Sequence, residues 1–161
     1  VHVQIWRIAL MSHSIEALYR REHVESPAII SSPEDVDALI DSLLTGAVDE
    51  NLAQLFSLQR STLPSGDPNH ELLVGVDREL QVGVLAFMDD GNEVSLGPLS
   101  SSRGEVVYCI MRHATEFPDR SEVPLELVRR AVKEFLVSGG QRPTCVEWQM
   151  PEKLFATGDS T

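Results

Sequence analysis

EVPLELVRRAVKEFLVSGGQRPTCVEWQM, Glu122 to Met150, is the stretch on which the fold turns. It reads as an amphipathic helix, a glycine stop, a short turn and a closing strand. Val128, Ala131, Val132, Phe135 and Leu136 fall at i, i+3, i+4, i+7 and i+8, one apolar stripe on a helix. Arg129, Arg130, Lys133 and Glu134 face away from it. Pro124 suits the first helical turn, where its missing N–H costs nothing. Gly139 and Gly140 offer the left-handed residue that ends such a helix, and Pro143 prevents its resumption. Thr144, Val146 and Trp148 then alternate with Cys145, Glu147 and Gln149, as a strand does. Fully buried, each stripe residue contributes about 1.5–3 kcal/mol before entropy, Ala131 less. The unit is expected to seal the hydrophobic face of a sheet built earlier in the chain, with Trp148 packed in the core rather than anchoring an interface.

The sheet must come from the residues upstream. Ile15 to Arg20 and Pro27 to Ile30 read as two short strands. Ser32-Pro33-Glu34-Asp35 is a helix start: a capping hydroxyl, a proline at the first position, and acids at the positive end of the dipole. Val36, Leu39, Ile40, Leu43 and Leu44 make its stripe, and Gly46 marks the stop. Asn51 to Arg60 fits a short helix or a strand, with strand favoured in its C-terminal part. Ser61 to Asn69 is a loop by composition. A meander follows: Glu71–Val76, a turn at Asp77-Arg78-Glu79, Gln81–Met88, a hairpin turn at Asp89 to Asn92, and Glu93–Leu96. Gln81–Met88 is apolar on both faces and so is expected in the middle of the sheet. Gly97 to Gly104 is a loop, Glu105–Met111 a further strand of the meander, and Arg112 to Ser121 a polar connection. Runs of antiparallel strands with helices at either end define an α+β class: a meander sheet, two main helices packed on it, and a closing C-terminal strand.

A chain of 161 residues is expected to be one domain with one real core. That domain is placed at residues 11–150. VHVQIWRIAL, residues 1–10, lacks the charged-apolar-small order of a signal peptide. It reads as an upstream extension ahead of a start at Met11, or as an extra edge strand. Residues 151–161 have no periodicity and read as a mobile tail. No run approaches the roughly 18 apolar residues of a membrane helix, so no membrane partner is expected. Two cysteines, Cys109 and Cys145, lie inside apparent strands and read as buried free thiols, which suits a cytoplasmic protein.

The formal charge of −12 argues against a nucleic-acid partner, because phosphate contacts need clustered Lys and Arg. It suits a basic protein partner, or solubility alone. Glu34, Asp35, Asp37 and Asp41 line the polar face of the first helix, and Asp77, Glu79, Asp89, Asp90 and Glu93 cluster at the meander turns.

Chemistry is scarce. His2, His13, His23, His70 and His113 are scattered and no CxxC occurs, so no metal site is expected. A nucleophile elbow and a phosphate-binding lysine loop are both missing. Cys109 and His113, read as i and i+4 on one strand, would stand about 13 Å apart, too far to pair. Asp89-Asp90-Gly91-Asn92-Glu93 holds only a fragment of a calcium loop and reads as a turn with Gly and Asn supplying positive φ. No catalytic residue and no cofactor are expected.

Three stretches resemble a known family: PAIISSPEDVDALIDSLL at Pro27–Leu44, His70–Met88 with the DDGNE that follows, and Glu126–Gln149 with its RPTCVEW at Arg142–Trp148. Together, over about Ile15 to Gln149, they are similar to immunity protein family one of bacterial polymorphic toxin systems. The resemblance implies an α+β fold and a non-enzymatic role: binding and neutralising a cognate toxin in the producing cell, often a nucleic-acid deaminase. The acid clusters then become the expected toxin interface: Glu34, Asp37, Asp41, Asp77, Glu79, Asp89, Asp90 and Glu93. The toxin is expected to be basic, and the immunity protein a monomer or homodimer. Two other readings stand beside it. One is a small-molecule-binding or enzymatic domain with a pocket between sheet and helices, holding Tyr108, His113 and a carboxylate. The other is a scaffold subunit that pairs through an exposed sheet edge.

Overall fold

The computed structural model describes residues 13–98 and 106–151. The N-terminal decapeptide, most of the Gly97–Gly104 loop and the C-terminal tail lie outside the described residues. The elements in chain order are β1 (Ile15–Leu18), a 3-10 turn (Arg21–Val24), β2 (Ala28–Ile30), α1 (Pro33–Thr45), β3 (Leu52–Ser57), β4 (Glu71–Asp77), β5 (Val82–Met88), β6 (Asn92–Leu96), β7 (Val106–Ile110), β8 (His113–Phe117), β9 (Val123–Pro124), α2 (Leu125–Val137) and β10 (Glu147–Gln149). The class is α+β.

One antiparallel sheet runs β10-β6-β5-β4-β3-β1-β2, with the two-residue β9 sharing the flank of β5 with β6. β5 is central, as its two apolar faces require. Strand alternation sends Ala53, Leu55, Leu72, Val74, Val76, Leu85 and Phe87 to one face, where both helices pack. The α2 stripe of Val128, Ala131, Val132, Phe135 and Leu136 is fully buried there, together with Val36, Leu39, Ile40 and Leu43 of α1. Ser32 caps α1 by accepting from Asp35 N at 3.1 Å. Gly139 and Gly140, at φ 73° and 95°, end α2 in the left-handed region. Pro124 sits one position before α2, extended and paired with Val82 of β5.

Several expectations are corrected. Strand β3 spans the N-terminal and middle part of Asn51–Arg60, and residues 58–60 turn. Strand β7 is not a meander strand. It pairs with β8 as a separate two-stranded sheet, and the segment read as a polar connection supplies β8. This hairpin lies over the second face of the main sheet, where Leu52, Leu73, Val84, Ala86 and Val94 meet Val106, Tyr108 and Phe117 in a second core. Its turn uses Met111 and Arg112 at φ 48° and 74°, non-glycine residues in the left-handed region. The Asp89–Asn92 turn, by contrast, uses no positive φ at Gly91 or Asn92. Cys145 lies before β10 rather than in a strand, and both cysteines are partly exposed free thiols. Trp148 stands on the helix side at the sheet's edge, half-buried, its Nε1 donating to Pro143 O at 2.9 Å.

Candidate binding surface

The eight expected interface acids do not form one patch. Strand β4 puts Asp77 at one end of the β4–β5 hairpin, with Glu79 in its turn, and β5 puts Asp89 and Asp90 just beyond the other end. Seven strand residues separate those ends by roughly 20 Å. Glu34 lies at the N-terminus of α1, and Asp37 and Asp41 along it.

Most of the eight already serve the fold. Arg129 of α2 reaches Asp37 Oδ1 at 2.9 Å and Asp41 Oδ1 at 2.6 Å, and Lys133 reaches Asp37 Oδ2 at 2.9 Å. The two helices therefore meet through an ion-pair network beside their apolar seam, and Arg129 and Lys133 flank that seam rather than facing away. Hydrogen bonds from Lys133, and then Arg129, hold the Asp37 carboxyl below the usual carboxylate range against partial desolvation. Asp77 Oδ1 accepts from Leu80 N at 2.9 Å and fixes the β4–β5 turn. Asp89 lies 3.6 Å from Arg60, and Glu93 pairs with Arg142, which also stacks on Trp148. Glu34, Glu79 and Asp90 are exposed.

Arg20 and Arg112 likewise hold Glu50 and Asp49. With Arg60, Arg129, Lys133 and Arg142 they are cations tied to the protein's own carboxylates. An excess of 25 acids over 13 bases therefore leaves mostly acid for the outside.

Glu134 also does more than face solvent. Its Oε2 accepts from both Thr144 N and Thr144 Oγ1 at 2.7 Å. This ties α2 to the RPTCVEW segment through Thr144.

The groups considered for chemistry are dispersed. Cys109 and His113 do not share a strand: the Met111–Arg112 turn folds β8 back so that Cys109 pairs with Ala114, and His113 with Ile110. The 13 Å separation argued from one continuous strand therefore does not apply. Burial, and then Asp49, push the Cys109 thiol up, away from a nucleophilic thiolate. Tyr108 is buried on the hairpin side of the sheet, its hydroxyl donating to Glu122 Oε2 at 2.6 Å. The space between sheet and helices is filled by core side chains. Among the described residues no group of three His, Cys, Asp or Glu side chains gathers to hold a metal, and no helix is long and apolar enough to cross a membrane.

Among the described residues, His70 is the one deeply placed imidazole. It accepts from Ser57 N at 2.8 Å through Nε2 and lies against the rings of Phe56 and Phe135. Desolvation first, and then the Arg60 charge, push it down to about 4, so it is neutral and structural.

Fold and surface thus define an α+β domain built on one antiparallel sheet, sealed by two helices and a strapped hairpin, with an acidic exterior. The chain belongs to the Imm1 family, described as immunity protein Imm1, whose family model matches residues 24–150. A search of the curated proteins gave no match.

Proposed function

We propose that this protein binds and neutralises a cognate toxin of a bacterial polymorphic toxin system inside the producing cell. The observation that carries the reading is the Imm1 family match across residues 24–150, most of the domain. The toxin is a basic protein acting on nucleic acid, a deaminase being the leading class, and the immunity protein covers its active or substrate-binding site. The charge of −12 supports this, because an enzyme that grips phosphates presents cations that acidic side chains can occupy. Glu34, Glu79 and Asp90 are exposed acids suited to steering the encounter, whereas Asp37, Asp41, Asp77, Asp89 and Glu93 contribute field while holding the fold. The complex forms in the cytoplasm, from a monomer or homodimer of this chain.

Co-expression with the toxin encoded beside this gene tests the proposal. Rescue of growth is the expected result. Continued killing, with both proteins soluble, contradicts it.

A further inference from the structure

The β7–β8 hairpin covers only part of the second sheet face. Its contacts centre on the cross-strand rows Leu52–Gly75–Val84 and Leu73–Ala86–Val94. Tyr108 sits so close over Gly75 that a Cβ there would lie 2.7 Å from Tyr108 Cδ2. Beyond the hairpin, toward β2, the strand register builds another row on the same face. Ile29 of β2 pairs with Glu16 of β1, and Glu16 pairs with Phe56 of β3. Continuing the β3–β4 register sets Phe56 opposite Glu71, which pairs with Met88 of β5.

The row Ile29–Glu16–Phe56–Glu71–Met88 thus alternates apolar and acidic side chains across five strands. Leu18, in the neighbouring position beside Gln54, extends it. Leu18, Ile29 and Phe56 belong to neither hydrophobic core, and Ile29 is 52% exposed. Both glutamates are half-buried among these apolar groups. Among the described residues no basic side chain pairs with either: Glu71 accepts only the Gln54 amide. Asp37, Asp41, Asp89 and Glu93 are each matched to a cation of this chain, and Glu34, Glu79 and Asp90 stay exposed to water, whereas Glu16 and Glu71 lose part of their water to apolar neighbours without gaining a cation. Burial pushes the Glu71 carboxyl up, as expected for an acid that has lost water without gaining a countercharge.

We propose that this open sheet face is the docking surface for a protein partner that brings an arginine or lysine set among apolar side chains, which seats over Phe56 between Glu16 and Glu71. The inference rests on the immunity reading for the identity of the partner, the neighbouring toxin. Apolar contact with Ile29, Phe56 and Met88 excludes water, and in that drier setting a cation between two carboxylates is held far more strongly than at an open rim. The exposed acids elsewhere steer approach, while this row holds the bound partner.

The experiment measures binding of the toxin encoded beside this gene, purified in an inactivated form, to wild type and four variants. Ile29→Lys alters a side chain already exposed on an edge strand. Glu16→Lys and Glu71→Gln change the charge, the latter keeping an oxygen to accept from Gln54. Glu126→Gln, exposed in the first turn of α2 on the opposite side of the sheet, is the control. Circular dichroism and melting temperature confirm folding. Each row variant is expected to raise Kd by on the order of a hundredfold, mainly through faster dissociation, and Glu126→Gln by less than about threefold. Wild-type binding with all row variants within about threefold overturns the docking surface and leaves the immunity reading standing. No binding by wild type overturns both, so the two failures are distinct.

Discussion

Arg129 lies 92 residues from Asp37 in the chain and 2.9 Å from it in space. With Asp41 and Lys133 it joins the two helices along their solvent edge. Asp37 and Asp41 remain substantially exposed, so screening limits the worth of each pair. Arg129→Ala is expected to destabilise by about 1 kcal/mol in denaturant titration at neutral pH, since it breaks two pairs of that kind. The folded Asp37 carboxyl is held below its unfolded value. Its contribution is therefore whole above the unfolded value of roughly 4 and is lost as pH falls through the lower folded one. The wild-type and Arg129→Ala stabilities should converge at that acid end.

His70 gives a pH dependence of the opposite chemical origin. Its folded value is about 4, against roughly 6.5 in the unfolded chain. Above pH 6.5 both states are neutral and the residue costs nothing in charge. Between those values only the unfolded state takes up the proton, so stability falls as pH falls. His70→Phe should flatten that slope while costing about 1–3 kcal/mol at pH 7, because Ser57 N loses its buried acceptor. Urea titrations from pH 4 to 7 check both effects.

Gly83 is required by closeness. A Cβ there would lie 2.3 Å from Gly75 O and 2.9 Å from Val128 Cγ2. One obstacle is the backbone of the adjacent central strand and the other a buried residue of α2, so neither gives way easily. Gly83→Ala is expected to cost about 3 kcal/mol or more in equilibrium unfolding. Gly91→Ala, where nothing lies within 4 Å, should cost under about 0.5 kcal/mol.

The helices were legible because their signals are local. Ser32, Pro33 and the stripes at Val36–Leu43 and Val128–Leu136 announce themselves within a few residues. The β7–β8 hairpin was not, because its turn is built from Met111 and Arg112 in left-handed conformations without a glycine or asparagine to signal it. Strand β8, HATEF, buries Phe117 but otherwise reads as polar loop. The second core, which forms only where that hairpin meets the sheet, is equally silent in the sequence. The acid clusters were visible as composition, but their neutralisation by Arg129, Lys133, Arg60 and Arg142 is a product of tertiary contact. The Ile29–Glu16–Phe56–Glu71–Met88 row was out of reach for the same reason, since five strands contribute one residue each and only their register aligns them.

The most direct measurement titrates the purified protein into an activity assay of the neighbouring toxin. The expected result is complete inhibition at a one-to-one ratio, with affinity in the nanomolar range and weakening as salt rises. Full toxin activity at micromolar concentrations of the folded protein contradicts the assignment as its immunity partner.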